Sequence, residues 1–150
     1  MKKFEFTLES LKNYREQVLD GEKAALAAMR ADLRTLEAEL EDILKKLAAA
    51  GEKLNEMYFG GTYPNEIAIQ KRHISALQAE VHQHRHKILM KQREIEAQLN
   101  NVVSATQEVS KLENLEEHQL EDYKMAVQKE EELFIDEFVT NSDWRKANVK

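Results

Sequence analysis

The stretch HQHRH, residues 82–86, has the residue types and spacing closest to those of a chemical site. His82 and His86 stand four apart, so on a helix they share a face and could grip a transition-metal ion. A metal site also needs a third ligand and a shielded cavity. The architecture derived below, two helices side by side, has no interior to supply that cavity. The histidines therefore read as a solvated polar face, with His84 turned toward a helix–helix seam, and no metal is expected.

Other chemistries meet the same obstacle. A serine nucleophile elbow needs a strand before it, and no strand pattern is present. Gly60-Gly61-Thr62 lacks the lysine and the flanking strand of a phosphate-binding loop, so direct ATP binding is not expected. Paired carboxylates are abundant, but on a two-helix surface they are solvated and keep ordinary acidity. The chain has no cysteine, hence no disulfide, thiolate nucleophile or Cys-ligated metal. These absences point to a protein that is not an enzyme, with no catalytic residue and no cofactor.

The elements that would carry such residues are long helices. Of 150 residues one third are charged, one is proline (Pro64) and four are glycine. That profile belongs to coiled coils rather than to compact globules. Met29, Leu33, Leu36, Leu40, Ile43, Leu47, Ala50, Leu54 and Met57 alternate spacings of four and three without an error. This is the heptad pattern of a left-handed coiled coil. Upstream, Leu8 and Leu11 join that seam only through an extra residue, which predicts a stutter. Downstream of the loop, Ile67, Ile74, Leu77, Val81, His84, Ile88, Ile95, Leu99, Val102, Val109 and Leu112 form a second seam. Leu120, Tyr123, Val127, Phe134 and Phe138 continue it, and Gln70, Gln92 and Thr106 interrupt it.

The expected fold is all-α: one coiled-coil domain over residues 1–150, made of two antiparallel helices. The first spans about 5–58, the loop 59–66, the second about 67–140, and 141–150 is a loose tail. Gly60 and Gly61 break the first helix, Pro64 biases Tyr63 toward an extended backbone, and Asn65 can cap the second helix. At 1.5 Å per residue the helices would be on the order of 80 and 110 Å long. If Met57 faces Ile67, paired positions sum to roughly 124, so Met1 meets Tyr123 and the rest of the second helix overhangs. That overhang carries Leu133, Phe134, Ile135, Phe138 and Val139 behind Glu130–Glu132. An exposed apolar cluster of this kind marks an interaction site.

Charge is unevenly spread. Between Lys71 and Glu94 six bases oppose two acids, whereas between Glu113 and Glu137 ten acids oppose two bases. The net charge of -6 argues against a general nucleic-acid binder. No apolar run approaches the roughly 20 residues of a membrane span. The start MKKFEF has no apolar core behind it and does not read as a signal peptide. A soluble, cytoplasmic protein is expected.

The start FEFTLESLKNYREQ, the loop after a long Leu-rich helix, the central EVHQHRHKI and the close LEEHQLEDYKMAVQKEEELFIDEF resemble the FliJ family. FliJ proteins are stalks of the bacterial flagellar type III export apparatus, and the likeness covers nearly the whole chain. The resemblance implies an antiparallel two-helix coiled coil similar to the shaft of rotary ATPases. It implies that the end bearing both termini enters a hexameric FliI-like export ATPase and promotes ring assembly and ATP hydrolysis. Phe4, Phe6, Leu8, Leu11, Phe134, Ile135 and Phe138 would form that tip. It further implies a mid-chain surface for a FlhA-like export-gate protein, onto which Ile43, Leu77 and His84 map. Lys46, Ala50, His73 and Glu80 stand where the resemblance implies other residue types. Export chaperones are a third implied partner, and peripheral association with the inner-membrane export apparatus is the implied location. The alternatives are the equivalent stalk of a virulence type III system, and a dimerising scaffold in which Phe134 and Phe138 meet their own copy.

Overall fold

The computed structural model describes residues 2–148. Among them there are two helices and no strand: α1, Glu9–Gly60, and α2, Pro64–Asn148. The helices pack against each other, and the all-α hairpin expected from the heptads is what forms.

The helix ends differ from the sequence reading, each for a local reason. Residues 2–8 are not helical. Glu9 N–H donates to the Phe6 carbonyl at 3.2 Å and Lys12 N–H to that of Leu8 at 2.9 Å, so α1 opens from a turn. Phe6 is buried ahead of that turn, so side-chain packing rather than helical hydrogen bonding holds this segment. α1 runs through Gly60 and stops at Gly61, whose φ of +73° is the left-handed conformation that glycine adopts without strain. α2 begins at Pro64 itself. Proline suits a first helical position because its missing N–H would have no partner there. The Tyr63 carbonyl accepts the first helical bonds, from Glu66 at 3.0 Å and Ile67 at 3.3 Å. At the other end α2 continues through Asn141, Ser142 and Asp143 to Asn148. Without glycine or proline those residues weaken a helix but do not stop it. Arg145 and Lys146 in the last turn complement its dipole. Of the expected loose tail, 141–148 is helical, and Val149 and Lys150 lie outside the described residues.

The contacts fall into two units, Asp20–Val103 and Met1–Leu19 with Ser104–Lys150. In the first, the core is Ile43, Ala50, Leu77 and Val81, with Leu40, Leu47 and Ile74 packed around it. The pairing is antiparallel: Gln70 bonds to Ala50, His84 to Glu39, and Lys91 to Asp32. In the second unit Lys12 pairs with Glu116 and Lys2 with Tyr123. Paired positions thus sum to between 120 and 128, bracketing the expected register.

The seams themselves keep stricter phase than their apolar residues suggest. Leu8, Lys12, Arg15, Leu19, Glu22 and Leu26 are all wholly or partly buried at spacings of four and three. No stutter is needed, because Lys12 rather than Leu11 holds the seam position and Leu11 is left exposed. On α2 the same rule places Lys91, Gln98 and Ala105 inward, and turns Gln92, Leu99 and Thr106 outward. Gln70 alone of the three expected polar interruptions is buried. The two buried glutamines reach across to backbone: Gln70 Nε2 donates to the Ala50 carbonyl at 3.0 Å, and Gln98 Nε2 to that of Glu22 at 3.0 Å. Gln98 Nε2 also bonds to the Glu22 carboxylate. Among the described residues no buried side-chain nitrogen or oxygen lacks a partner.

A seam of two helices shields each side chain incompletely, and among the described residues no side chain is wholly sealed from solvent. Leu77→Ala is therefore expected to cost about 2 kcal/mol, the low end for a core leucine. Leu89→Ala, on an exposed position of the same helix, should cost less than about 0.5 kcal/mol. Urea denaturation followed by circular dichroism measures both, and equal losses would refute the seam assignment.

Candidate functional site

In the unit that holds both chain ends, the segment before α1 lies along α2. The Tyr123 hydroxyl donates to the Lys2 carbonyl at 2.5 Å, and the Phe4 ring tilts against the Tyr123 ring with centroids 5.5 Å apart. Phe6 is buried and Leu8 half-buried behind this contact, while Leu11 is exposed. One turn into α1, Lys12 Nζ meets Glu116 Oε2 at 2.7 Å. The hydrogen bond from Glu116 raises the Lys12 pKa above the ordinary 10.5, against partial desolvation and with help from the charges of Glu116, Glu9 and Glu16.

Beyond Tyr123 the cover ends. Val127 is the last half-buried apolar residue, and every residue from Gln128 to Asn141 is exposed. Phe134, Ile135 and Phe138 show 70%, 58% and 68% of their surface, and Leu133, Val139 and Trp144 are also bare. At 3.6 residues per turn, Val127, Phe134 and Phe138 share one stripe, with Ile135 and Val139 beside it. Leu133 and Trp144, about three turns apart, share a different face. Val127, Glu130, Glu131, Phe134 and Ile135 border an open groove. A helix apolar on more than one face is the kind that other elements surround. Acids frame the cluster: Glu130, Glu131, Glu132, Asp136 and Glu137.

The seven residues expected at the tip thus separate into two groups. Phe134, Ile135, Phe138 and Leu11 offer surface to a partner. Phe4 packs on Tyr123 of α2, Phe6 is buried and Leu8 is half-buried, so these three offer less surface. The mid-chain residues divide similarly. Ile43 and Leu77 are not surface residues: both are buried in the Asp20–Val103 core. Heptad periodicity already put them on the seam, and the seam consumes their side chains. Only His84 keeps an accessible edge, with its Nε2 2.9 Å from Glu39 Oε2. Asp42, Ile43 and Lys46 border the same shallow depression. His82 and His86 are exposed, and no group of three metal-ligating side chains occurs among the described residues.

Apolar heptad spacing gives no signal for Lys12 and Glu116, which are charged residues on the seam. Nor does it mark Tyr58, Phe59 and Tyr63 around the loop, all exposed. Their signal was available as three aromatic residues without an intervening charge.

The FliJ family model, described as the flagellar FliJ protein, matches residues 4–148. The chain belongs to the FliJ family. No curated protein and no solved structure matches it. FliJ membership makes it a component of flagellar type III protein export, from a family that is not catalytic. The match spans both units, and includes the N-terminal segment on Tyr123 and the bare end of α2. No described helix is long and apolar enough to cross a membrane.

The Lys12–Glu116 pair carries a pH signature with a fixed sign. A lysine whose pKa is raised by folding contributes fully below the unfolded value of 10.5 and loses that contribution as pH rises through the folded value. Lys12→Met should therefore melt slightly lower than wild type at neutral pH. The difference should shrink once pH passes 10.5. A difference that persists or grows at high pH would show that Lys12 acts by packing rather than by charge.

Proposed function

We propose that this protein is the stalk of the flagellar export ATPase, a non-enzymatic coupling element. The bare end of α2 enters the central opening of a hexameric FliI-like ATPase, Phe134, Ile135 and Phe138 make the apolar contacts, and Leu11, exposed near the level of Glu116, adds surface further back. Phe4, Phe6 and Leu8 take part indirectly, by fastening the N-terminal segment to α2. A stalk that binds the assembled ring more tightly than free subunits draws subunits into the ring by that difference in affinity. Ring assembly then promotes ATP hydrolysis. The mid-chain surface around His84 couples the ATPase to a FlhA-like gate protein, with Ile43 and Leu77 supporting that surface from inside the seam. Export chaperones are carried by the same protein, at the periphery of the inner-membrane export apparatus.

The observation that supports this reading above others is the exposed cluster from Leu133 to Val139. Burying one large apolar side chain is worth roughly 1.5–3 kcal/mol, so leaving several bare makes sense where a partner covers them. Self-pairing serves that purpose less well. A second copy laid on this stretch would bring Glu130–Glu132, Asp136 and Glu137 against the same acids.

Replacing Phe134 and Phe138 together with serine tests the proposal. Both are already exposed, so helicity and melting should hardly change. Stimulation of the cognate ATPase and of its hexamer formation should be lost. Unaltered stimulation would refute the assignment of the tip. A tight wild-type dimer in sedimentation that the double variant converts to monomer would favour the scaffold reading instead.

A further inference from the structure

The turn between the helices bears a second exposed aromatic group, unrelated to the bare end of α2. Phe59 shows 93% of its surface, Tyr63 78% and Tyr58 51%. No charged residue lies between Glu56 and Glu66. The only ring interaction of Tyr58 among the described residues is with Lys71, whose ammonium sits 5.7 Å from the ring centroid. Three large exposed rings thus stand within six residues of one another around the turn that joins α1 and α2.

Behind this turn the sign of the charge reverses relative to the whole protein. From Lys45 to Arg93 nine Lys and Arg oppose four Asp and Glu, a net of +5, in a chain of net -6. Four of the five histidines, His73, His82, His84 and His86, lie there too. Lys53 stands seven residues before Gly60 and Lys71 seven residues after Pro64. At 1.5 Å per residue the backbones of both residues lie about 10 Å behind the turn, one on each helix, and the Lys71 ammonium reaches forward to Tyr58.

We infer that this turn docks onto an anionic lipid bilayer. Amphipathic aromatic rings favour the level of the headgroups, where one edge is apolar and the other wet. A surface-bound element buries its apolar face to roughly 5–10 Å. That depth seats Phe59 and Tyr63 at the acyl boundary and brings Lys53, Lys71 and Arg72 level with the lipid phosphates. Glu56 and Glu66 lie between rings and cations and hold the insertion shallow. The basic field along both helices orients the approach, since cations near an anionic leaflet are attracted over about a Debye length. A nucleic acid fits less well, because the rings are gathered at the turn instead of interleaved with the bases along a groove. The contact is distinct from the ATPase contact and does not depend on it.

The test uses the full chain and two kinds of vesicle, phosphatidylcholine alone and phosphatidylcholine with one quarter phosphatidylglycerol. Flotation should recover wild type with the anionic vesicles, and more weakly as salt rises. Phe59→Ser with Tyr63→Ser, whose side chains are already exposed, should keep the wild-type melting curve. It should lower partitioning at least about tenfold. Lys71→Glu with Arg72→Glu should abolish the preference for anionic vesicles. In a Trp144→Phe background, Phe59→Trp should shift its fluorescence to the blue on adding anionic vesicles and be quenched by brominated acyl chains. Absence of vesicle binding would overturn the inference and leave the turn to a protein socket. Binding that survives loss of the aromatics, or a Trp at 59 that stays water-exposed, would overturn it equally.

Discussion

Burial in this protein is available along one line, the seam where α1 and α2 face each other, and the sequence is organised around keeping that line in phase. Two helices have no enclosed interior, so each apolar side chain gains only partial shelter, and length has to compensate for depth. The unbroken alternation of four and three is the condition for that. Once the phase is set by Leu26, Leu33, Leu40, Ile43, Leu77 and Val81, every further position on the line is set too, whatever residue occupies it. Lys12, Glu22, His84, Lys91 and Gln98 accordingly lie on the seam. Leu11 and Leu99, one residue away, do not.

Polar residues on a seam cost stability unless they find partners, and here they find them across the helix pair. Gln70 and Gln98 donate to carbonyls of α1, His84 meets Glu39, and Lys12 meets Glu116. The side-chain pairs, His84 with Glu39 and Lys12 with Glu116, hold in one register only. Slippage by a single heptad would part them, whereas an all-leucine seam would tolerate it. Polar seam residues fixing alignment at some cost in stability is a known device of coiled coils.

The same constraint explains where partners can act. Residues that the seam consumes, Ile43 and Leu77 among them, leave a partner little surface. What the seam leaves free are the places where it ends. At one such place the N-terminal segment closes over Tyr123, and α2 then continues with Leu133, Phe134, Ile135 and Phe138 uncovered among acids. At the turn, Tyr58, Phe59 and Tyr63 are uncovered near bases. With the seam given over to packing, the surface left for a partner lies at its ends and on the outer faces.

The sequence by itself determined the class of fold, the antiparallel pairing and its register to within a few residues, the place of the turn and the bareness of the α2 end. It could do so because heptad spacing and a glycine-proline break are local signals, and because two helices of unequal length must leave an overhang. Tertiary structure decided what local signals cannot carry. Which of Leu11 and Lys12, or of Gln98 and Leu99, faces inward depends on the phase of the entire seam rather than on the residue. And the placing of the N-terminal segment depends on Tyr123, a hundred and more residues away, offering a ring to Phe4 and a hydroxyl to the backbone of Lys2.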